Sequence, residues 1–264
     1  RYYEKKNDLV SIIVNCFNGE KFLKDCINSI LNQTYKNFEI IFLDNFSSDN
    51  SPKIIKTYKD RRIKYYRTKK NLNLYNARNL AIKKAKGKYV SFLDTDDWWN
   101  KNKLLEQINF LKKNNNLKIV FTNFYLYYQN TGKFKKHYNK LPFGSITQNL
   151  LNKYSLGIST VILEKKIFKK FIFQKKYNII GDFDFFIKLS KLYDIGSIEK
   201  PLVFYRVHKS NFSNKKVDLY YHELKNWVSF NEKKLLKEKF KLNNIKYLLL
   251  KLKLKATLRY LKIY

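Results

Sequence analysis

The sequence predicts an α/β fold: a Rossmann-like, doubly wound, mostly parallel sheet followed by a helical, basic C-terminal tail. Three observations carry this. Near-continuous apolar runs, the pattern of strands buried on both faces, alternate with stretches whose apolar residues recur at helical spacing. Such alternation requires right-handed crossovers between parallel strands. Polar clusters at residues 15–18, 44–49 and 94–97 directly follow three of the runs, so the fold collects them beyond the carboxyl ends of the strands, where such sheets bind ligands. After residue 213 the alternation stops, and leucines at helical spacing stand among many cations.

The first run, 9–16, reads as a buried strand broken by Phe17, Asn18, Gly19 and Glu20. Over 20–33, Phe22, Leu23, Cys26, Ile27, Ile30 and Leu31 share one helical face, giving an amphipathic helix that covers the sheet. Residues 38–43 form the next strand, and Asn50 with Pro52 caps and opens a helix through Tyr58. A short strand is expected at 63–67, and a helix at 77–86 with Gly87 just past its end. The central strand begins at Tyr89. Further on come a long aromatic strand at 119–128, a basic loop at 133–140, a strand at 159–163 and a helix at 182–192 with Phe183, Phe186 and Leu189 inward. A strand through Arg206 and His208 turns both side chains the same way. Two helices, 217–242 and 245–264, complete the chain and place Leu250, Leu254, Leu258 and Leu261 in one stripe, although 251–255 also alternates like a strand. The expected organisation is one domain over 1–213, in halves 1–100 and 101–213, with an extension over 214–264.

Composition sets bounds. With 44% hydrophobic and 17% aromatic residues over 264 positions, the chain can bury a substantial core, and 7 Gly with 3 Pro exclude a collagen-like or linker-like class. No uninterrupted apolar run reaches the length of a membrane span, and no stretch reads as a signal peptide. Cys16 and Cys26 lack metal-ligand spacing, so two buried free thiols in a reducing compartment, the cytoplasm, are expected. The chain opens at Arg1 and contains no Met, as expected of a piece of a longer reading frame. Its 55 Lys and Arg against 21 Asp and Glu give a formal charge of +34. That charge attracts nucleic acid, an anionic membrane surface or a nucleotide diphosphate without choosing among them. Joint inflation of Lys, Asn, Ile, Phe and Tyr also fits compositional drift that spreads charge over every solvated face.

Against this background the stretch 89–99 stands out. A β-rich run ends in Asp94, Asp96 and Asp97, three acids within four positions, followed by Trp98 and Trp99. A divalent cation such as Mn²⁺ or Mg²⁺ accounts for the repulsion stored there, because hard cations take carboxylate oxygens and leave other positions to phosphates and water. A solvated turn capping a helix from about Lys101 is the alternative.

Four motifs in order then resemble the family 2 glycosyltransferases of the GT-A fold. Residues 9–18 resemble their opening strand with its Tyr-Asn end, and Asp44-Asn45-Phe46-Ser47-Ser48-Asp49 resembles their Asp-Asp-Gly-Ser-Thr-Asp turn. Asn76-Ala77-Arg78-Asn79 resembles their Ala-Arg-Asn, and residues 93–99 match their Leu-Asp-x-Asp-Asp-x-Trp. Further on, Gly181-Asp182-Phe183-Asp184 resembles their Glu-Asp-Tyr-Asp, and residues 205–213 their Tyr-Arg-x-His-x-x-x-x-Ser. Two departures stand out: Asn45 replaces an Asp, so an amide replaces a carboxylate at the base, and Gly181 replaces a Glu.

The resemblance implies a metal-dependent, inverting hexosyl- or N-acetylhexosaminyltransferase of the bacterial surface-polysaccharide type, serving lipopolysaccharide or capsule. It would take a nucleotide diphosphate-sugar, with UDP expected, and act on a hydroxyl of a glycan or lipid-linked acceptor. By it, Asn15, Phe17, Asn18, Asp44, Asn45, Arg78, Asp94, Asp96 and Arg206 bind the nucleotide-sugar; Asp96, Asp97 and His208 hold Mn²⁺ or Mg²⁺; and Asp182 is the catalytic base. Trp98, Trp99 and Asp184 are expected at the acceptor, and the basic tail either at an anionic membrane surface on the cytoplasmic side or packed against the domain or further sequence. A nucleic-acid-binding protein stacking bases on its 21 Tyr is the rival reading, although the acidic loop would repel a phosphate backbone and no specific nucleic acid is expected. An inactive relative is a third.

Overall fold

The structure is a computed structural model that describes residues 8–209, 211 and 215–260. Strand β1 (Val10–Cys16) lies between β2 (Phe38–Asp44) and β4 (Tyr89–Phe92), parallel to both, and β3 (Ile63–Arg67) extends the parallel set beyond β2. Cys16 stands opposite Asp44, and Asp44 opposite Arg67, so these strands end level and their polar clusters converge. The crossovers are α1 (Leu23–Leu31), α2 (Ser51–Thr57) and α3 (Leu74–Lys84). Strand alternation gives β1 two cores. Val10, Ile12 and Val14 pack with Leu23, Cys26 and Ile27 of α1, while Ile13 joins Ala77, Ala81 and Ile82 of α3 on the other side.

Next come β5 (Trp98–Trp99), α4 (Lys103–Lys113), β6 (Ile119–Tyr128), β7 (Lys133–Lys136), α5 (Thr147–Asn152), β8 (Ile162–Glu164), α6 (Gly181–Ser190) and β9 (Gly196–Val207). Among the described residues the sheet order is β3-β2-β1-β4-β8-β6-β9-β5, with β7 paired to β6. The expected doubly wound α/β sheet is present. Its parallel set runs through β4; β8 then enters antiparallel to both β4 and β6, and β9 runs parallel to β6.

Several boundaries differ from expectation for local reasons. The basic stretch after 132 is not all loop: Lys133–Lys136 pairs antiparallel with Tyr125–Tyr128, because the tight turn at Gly132, with φ 66°, folds it back. Helix α3 begins before Ala77, since the Asn73 side chain caps it by accepting from the Tyr75 and Asn76 amides. Gly87 serves close approach rather than helix termination, as an added Cβ would sit 2.5 Å from the Leu9 carbonyl oxygen. The strand expected at 159–163 starts later, after a 3₁₀ turn at Ile158–Thr160. Cys16 and Cys26 are free and buried.

The tail forms α7 (Val217–Lys237) and α8 (Asn243–Tyr260), and the strand-like 251–255 is helical. Val217, Leu224, Trp227, Leu235, Leu242 and Ile245 enter the same core as α3 and α6, so the tail is packed onto the domain. Ser213 and Leu261 lie outside the described residues.

Candidate active site

At the end of β1 the Asn15 side chain is buried with neither its amide nitrogen nor its oxygen partnered. An orphaned buried amide of this kind is costly unless a ligand completes it. Asn18 adopts φ 52°, a conformation Asn tolerates, and its Oδ1 accepts from the Ser48 amide at 2.8 Å while its own N–H donates to Ser47 Oγ at 3.0 Å. These bonds latch the first strand end to the second. Phe17 and Phe46 project beside them, 49% and 46% exposed, and Phe46 was not foreseen.

Asp44 and Asn45, expected at a base, are occupied inside the protein. Asp44 is fully buried, accepting from the Ser47 amide and the Tyr65 hydroxyl and pairing with Arg67 at 3.0 Å. Asn45 donates to Asn71 Oδ1 and the Leu72 carbonyl and accepts from the Leu72 amide. An amide can do both and a carboxylate cannot, so Asn at this position fastens the 68–72 loop.

The acidic loop separates into different roles. Arg78, 2% exposed on α3 and ringed by Tyr75, Phe92 and Phe173, pairs with Asp94 at 3.1 Å. Burial pushes the Asp94 carboxyl up to about 6 against the pull of Arg78, with the charges of Asp96 and Asp182 adding to it. Its side chain is nonetheless 40% exposed, and that exposed part faces the cavity described below. Asp97 is 2% exposed, with one oxygen accepting from Ser159 Oγ and the other from the Arg206 amide. Its expected place among the metal ligands is therefore taken by protein donors. Desolvation and the neighbouring acids raise its pKa well above the carboxylate range.

Asp96, its side chain 31% exposed, is the second partly exposed acid of the loop. Its Oδ2 lies 3.0 Å from His208 Nε2, with Asn211 Nδ2 at 3.4 Å. The contact with His208 is a hydrogen bond within the protein, and it sets a carboxylate and an imidazole side by side, two groups that could turn to one divalent ion. Among the described residues no group of three or more His, Cys, Asp or Glu is arranged to hold an ion alone, so phosphate oxygens would have to complete the shell.

Arg206, expected at the diphosphate, is engaged by protein groups on all sides. Its guanidinium is sandwiched between the rings of Phe22, at 4.4 Å, and Trp98, at 4.5 Å, and donates to the Asp96 carbonyl, Gln129 Oε1 and Asp25 Oδ2. It pins the acidic loop to α1 and β6. Trp99 is a core plug, 3% exposed, whose Nε1 donates to the Ser159 carbonyl. Trp98 stacks on Phe204 at 5.1 Å in a surface depression separate from the cavity that holds Asp182. Neither Trp is placed for the acceptor role expected of it.

That cavity, of about 670 Å³, runs from Asp94 and Ser159 past Asp182 to the tail helices. Asp182 opens onto it from the first turn of α6; its Oδ1 accepts from the Phe183 amide at 3.0 Å and the Tyr75 hydroxyl at 3.1 Å. Burial raises its pKa, opposed by Arg78 and the Tyr75 bond. Asp184 turns the other way, as two residues on a helix must. It is 3% exposed, accepting from Trp227 Nε1 at 2.9 Å and pairing with Lys188 at 2.6 Å, so it bolts the tail and does not reach an acceptor.

The turn leading into α6 is held from far away. Ile180 occupies the N-cap position, and the Glu223 carboxylate of α7 accepts from the amides of Asn178, Ile179 and Ile180. Gly181 is required because an added Cβ would meet the Tyr75 ring at 2.5 Å. Glu223, Tyr75, Ser159 and Asn211 were all missed by sequence reasoning. Only Asn211, inside the Tyr-Arg-x-His segment, carried a signal.

The sequence profile of glycosyl transferase family 2 matches residues 11–185. The Escherichia coli enzyme WfgD, UDP-Glc:α-D-GlcNAc-diphosphoundecaprenol β-1,3-glucosyltransferase, is 34% identical over 79% of this chain and 81% of its own length. Staphylococcus aureus TarS, solved with UDP, superposes with a TM-score of 0.65 at 21% identity over 81% of this chain and 65% of the TarS chain. A Pyrobaculum calidifontis mannosyltransferase solved with GDP-Man and Mn²⁺ gives 0.63 at 14% identity over 84% of this chain and 64% of its own. Both structural likenesses concern the fold, which is of the GT-A type.

Proposed function

The chain belongs to glycosyl transferase family 2, and from that premise we propose that it transfers a sugar, with inversion, from a UDP-sugar to a hydroxyl of a lipid-linked or surface-glycan acceptor. The observation that carries the reading is the cavity shared by Asp94 and Asp182 at the carboxyl ends of the strands. The donor lies across those ends: Asn15 offers its unpartnered amide to the nucleotide, Phe17 its exposed ring to the base, and Asp94, held by Arg78, faces the sugar. Asp96 and His208 are the residues that would hold Mn²⁺ or Mg²⁺. When bound, that ion supplies Lewis-acid stabilisation of the departing diphosphate.

Asp182 takes the acceptor hydroxyl proton as its oxygen attacks the anomeric carbon from the far face and the bond to the diphosphate breaks. A carboxyl with a raised pKa is a stronger base, and the Tyr75 and Phe183 donors fix its orientation. WfgD uses UDP-Glc and a diphosphoundecaprenol-linked acceptor, which supports both substrate classes. Tyr247, Leu250 and Leu254 of α8 are 58%, 63% and 61% exposed among lysines, a stripe suited to resting on an anionic membrane at its cytoplasmic face. Among the described residues no helix is long and apolar enough to cross one. A panel of UDP-, dTDP- and GDP-sugars, scored for Mn²⁺-dependent thermal shift and hydrolysis, tests the donor. Protection by UDP-sugars alone is expected, and equal protection by all three would overturn the UDP assignment.

A further inference from the structure

The cavity beyond Asp182 has two chemically different ends, and the proposed transfer uses only one. Near Asp182 the Tyr154 hydroxyl and Ser155 Oγ are buried without any hydrogen-bond partner, and Ser155 is only 4% exposed. Tyr154 and Asp182 line the same cavity, and the Tyr154 ring meets that of Phe183, the residue after Asp182, at 5.4 Å. Unpartnered buried hydroxyls in a cavity wall call for a polar ligand. The far wall is aliphatic, built by Leu150 and Leu151 of α5, Leu224 of α7, and Ile245 and Leu248 of α8. A free sugar fits that wall badly, because hydroxyls turned against it lose their bonds to water without replacement. The exposed lining residues Tyr247 and Lys251 put the opening at α8, where the apolar stripe of Leu250 and Leu254 continues outward.

We propose that this cavity binds an amphiphilic acceptor, with its hydroxylated head at Asp182, Tyr154 and Ser155 and its aliphatic chain along the wall that α5 and the two tail helices build. The inference rests on reading Asp182 as the base that faces the acceptor. It gives the tail, which lies outside the family match, a substrate-selecting role: α7 and α8 decide that the acceptor carries a chain.

The test is calorimetric titration of the full chain, without donor, with hexyl, octyl and decyl glycosides of glucose and N-acetylglucosamine below their micelle concentrations. Each methylene buried contributes about three- to fourfold in affinity, so affinity should rise about tenfold per two carbons until the wall is covered and then level off. Leu248→Trp, which fills the wall, should bring the plateau to a shorter chain, and Tyr154→Phe with Ser155→Ala should weaken all lengths alike. A slope without a plateau, unmoved by Leu248→Trp, is the signature of non-specific adhesion and would overturn the proposal, as would affinity independent of chain length. Chain-length-dependent binding without transfer from any donor would uphold the amphiphile site while sinking the proposed reaction.

Discussion

The ends of β1 and β2 and the start of α6 each hold a carboxylate at the edge of one sheet, yet they fix it over different distances. At the ends of β1 and β2 the latches are short-range: Asn18 reaches Ser48 across 30 positions and Asn45 reaches Leu72 across 27, each between elements joined by one crossover. At the start of α6 Asp182 is held by Tyr75, 107 positions earlier, and its helix by Glu223, about 43 positions later. The first arrangement draws only on neighbouring elements, whereas the acidic loop after β4 already reaches to Ser159 and Arg206. The second arrangement makes the geometry of the proposed base depend on a tail that lies outside the family match over residues 11–185.

The largest effect expected from breaking this comparison is on chemistry. Asp182→Asn keeps the bonds from Tyr75 and Phe183 within reach but cannot accept a proton, so transfer should fall by roughly 10²- to 10⁴-fold with donor affinity unchanged. Asp184→Asn should spare the chemical step and lower the melting temperature, since it weakens the bolt to Lys188 and Trp227. Normal transfer by Asp182→Asn would place proton removal elsewhere.

Next in size is the long-range clamp on the turn before α6. Glu223→Ala leaves the amides of 178–180 unpartnered in a buried turn, which should cost about 2–3 kcal/mol in urea unfolding and slow transfer while sparing UDP binding. Glu223→Gln should recover part of both. Equal loss of donor binding and transfer would mean that the tail supports the whole domain rather than the acceptor half.

A smaller effect separates the two adjacent acids. Asp97→Ala removes the acceptor for Ser159 and the Arg206 amide and should destabilise by about 2 kcal/mol with or without Mn²⁺, whereas Asp96→Ala should leave the melting temperature nearly unchanged and abolish its rise with Mn²⁺ and UDP. If Asp97→Ala melts normally and loses only the Mn²⁺ response, Asp97 is a ligand after all.

The smallest is a shift in stability with pH. Burial raises the Asp182 pKa in the folded state, so its ionisation opposes folding: stability falls as pH climbs from the unfolded to the folded pKa. Asp182→Asn should therefore melt slightly above the parent at neutral pH and together with it below the carboxylate range. The opposite ordering would mean that hydrogen bonds outweigh desolvation at this carboxyl.

Legibility in the sequence follows the same divide. Strands β1, β2 and β4 were readable because strands buried on both faces are apolar throughout, and the acidic loop because acids are scarce in so basic a chain. Spacing also separated Asp182 from Asp184. What residue type did not reveal is the internal partners of these groups: Asp44, Asn45, Asp97 and Arg206 look like ligand-binding groups, and each also makes internal hydrogen bonds that hold a loop. Their partners, such as Ser159 and Gln129, carry no pattern of their own. Glu223 lies on a helix that reads as a charged amphipathic surface, and only the docking of α7 turns it inward. The antiparallel entry of β8 escaped for a similar reason, since three residues of strand leave no period to detect.

The central claim is that Asp182 acts as the base from a desolvated position organised by the tail. Single-turnover transfer against pH, at saturating donor, tests it most directly. The parent enzyme should lose activity on the acid side at a pH above the ordinary carboxylate range, Glu223→Ala should show a displaced acid limb at reduced rate, and Asp182→Asn should be slow with that limb absent. An acid limb that persists unchanged in Asp182→Asn would contradict the account.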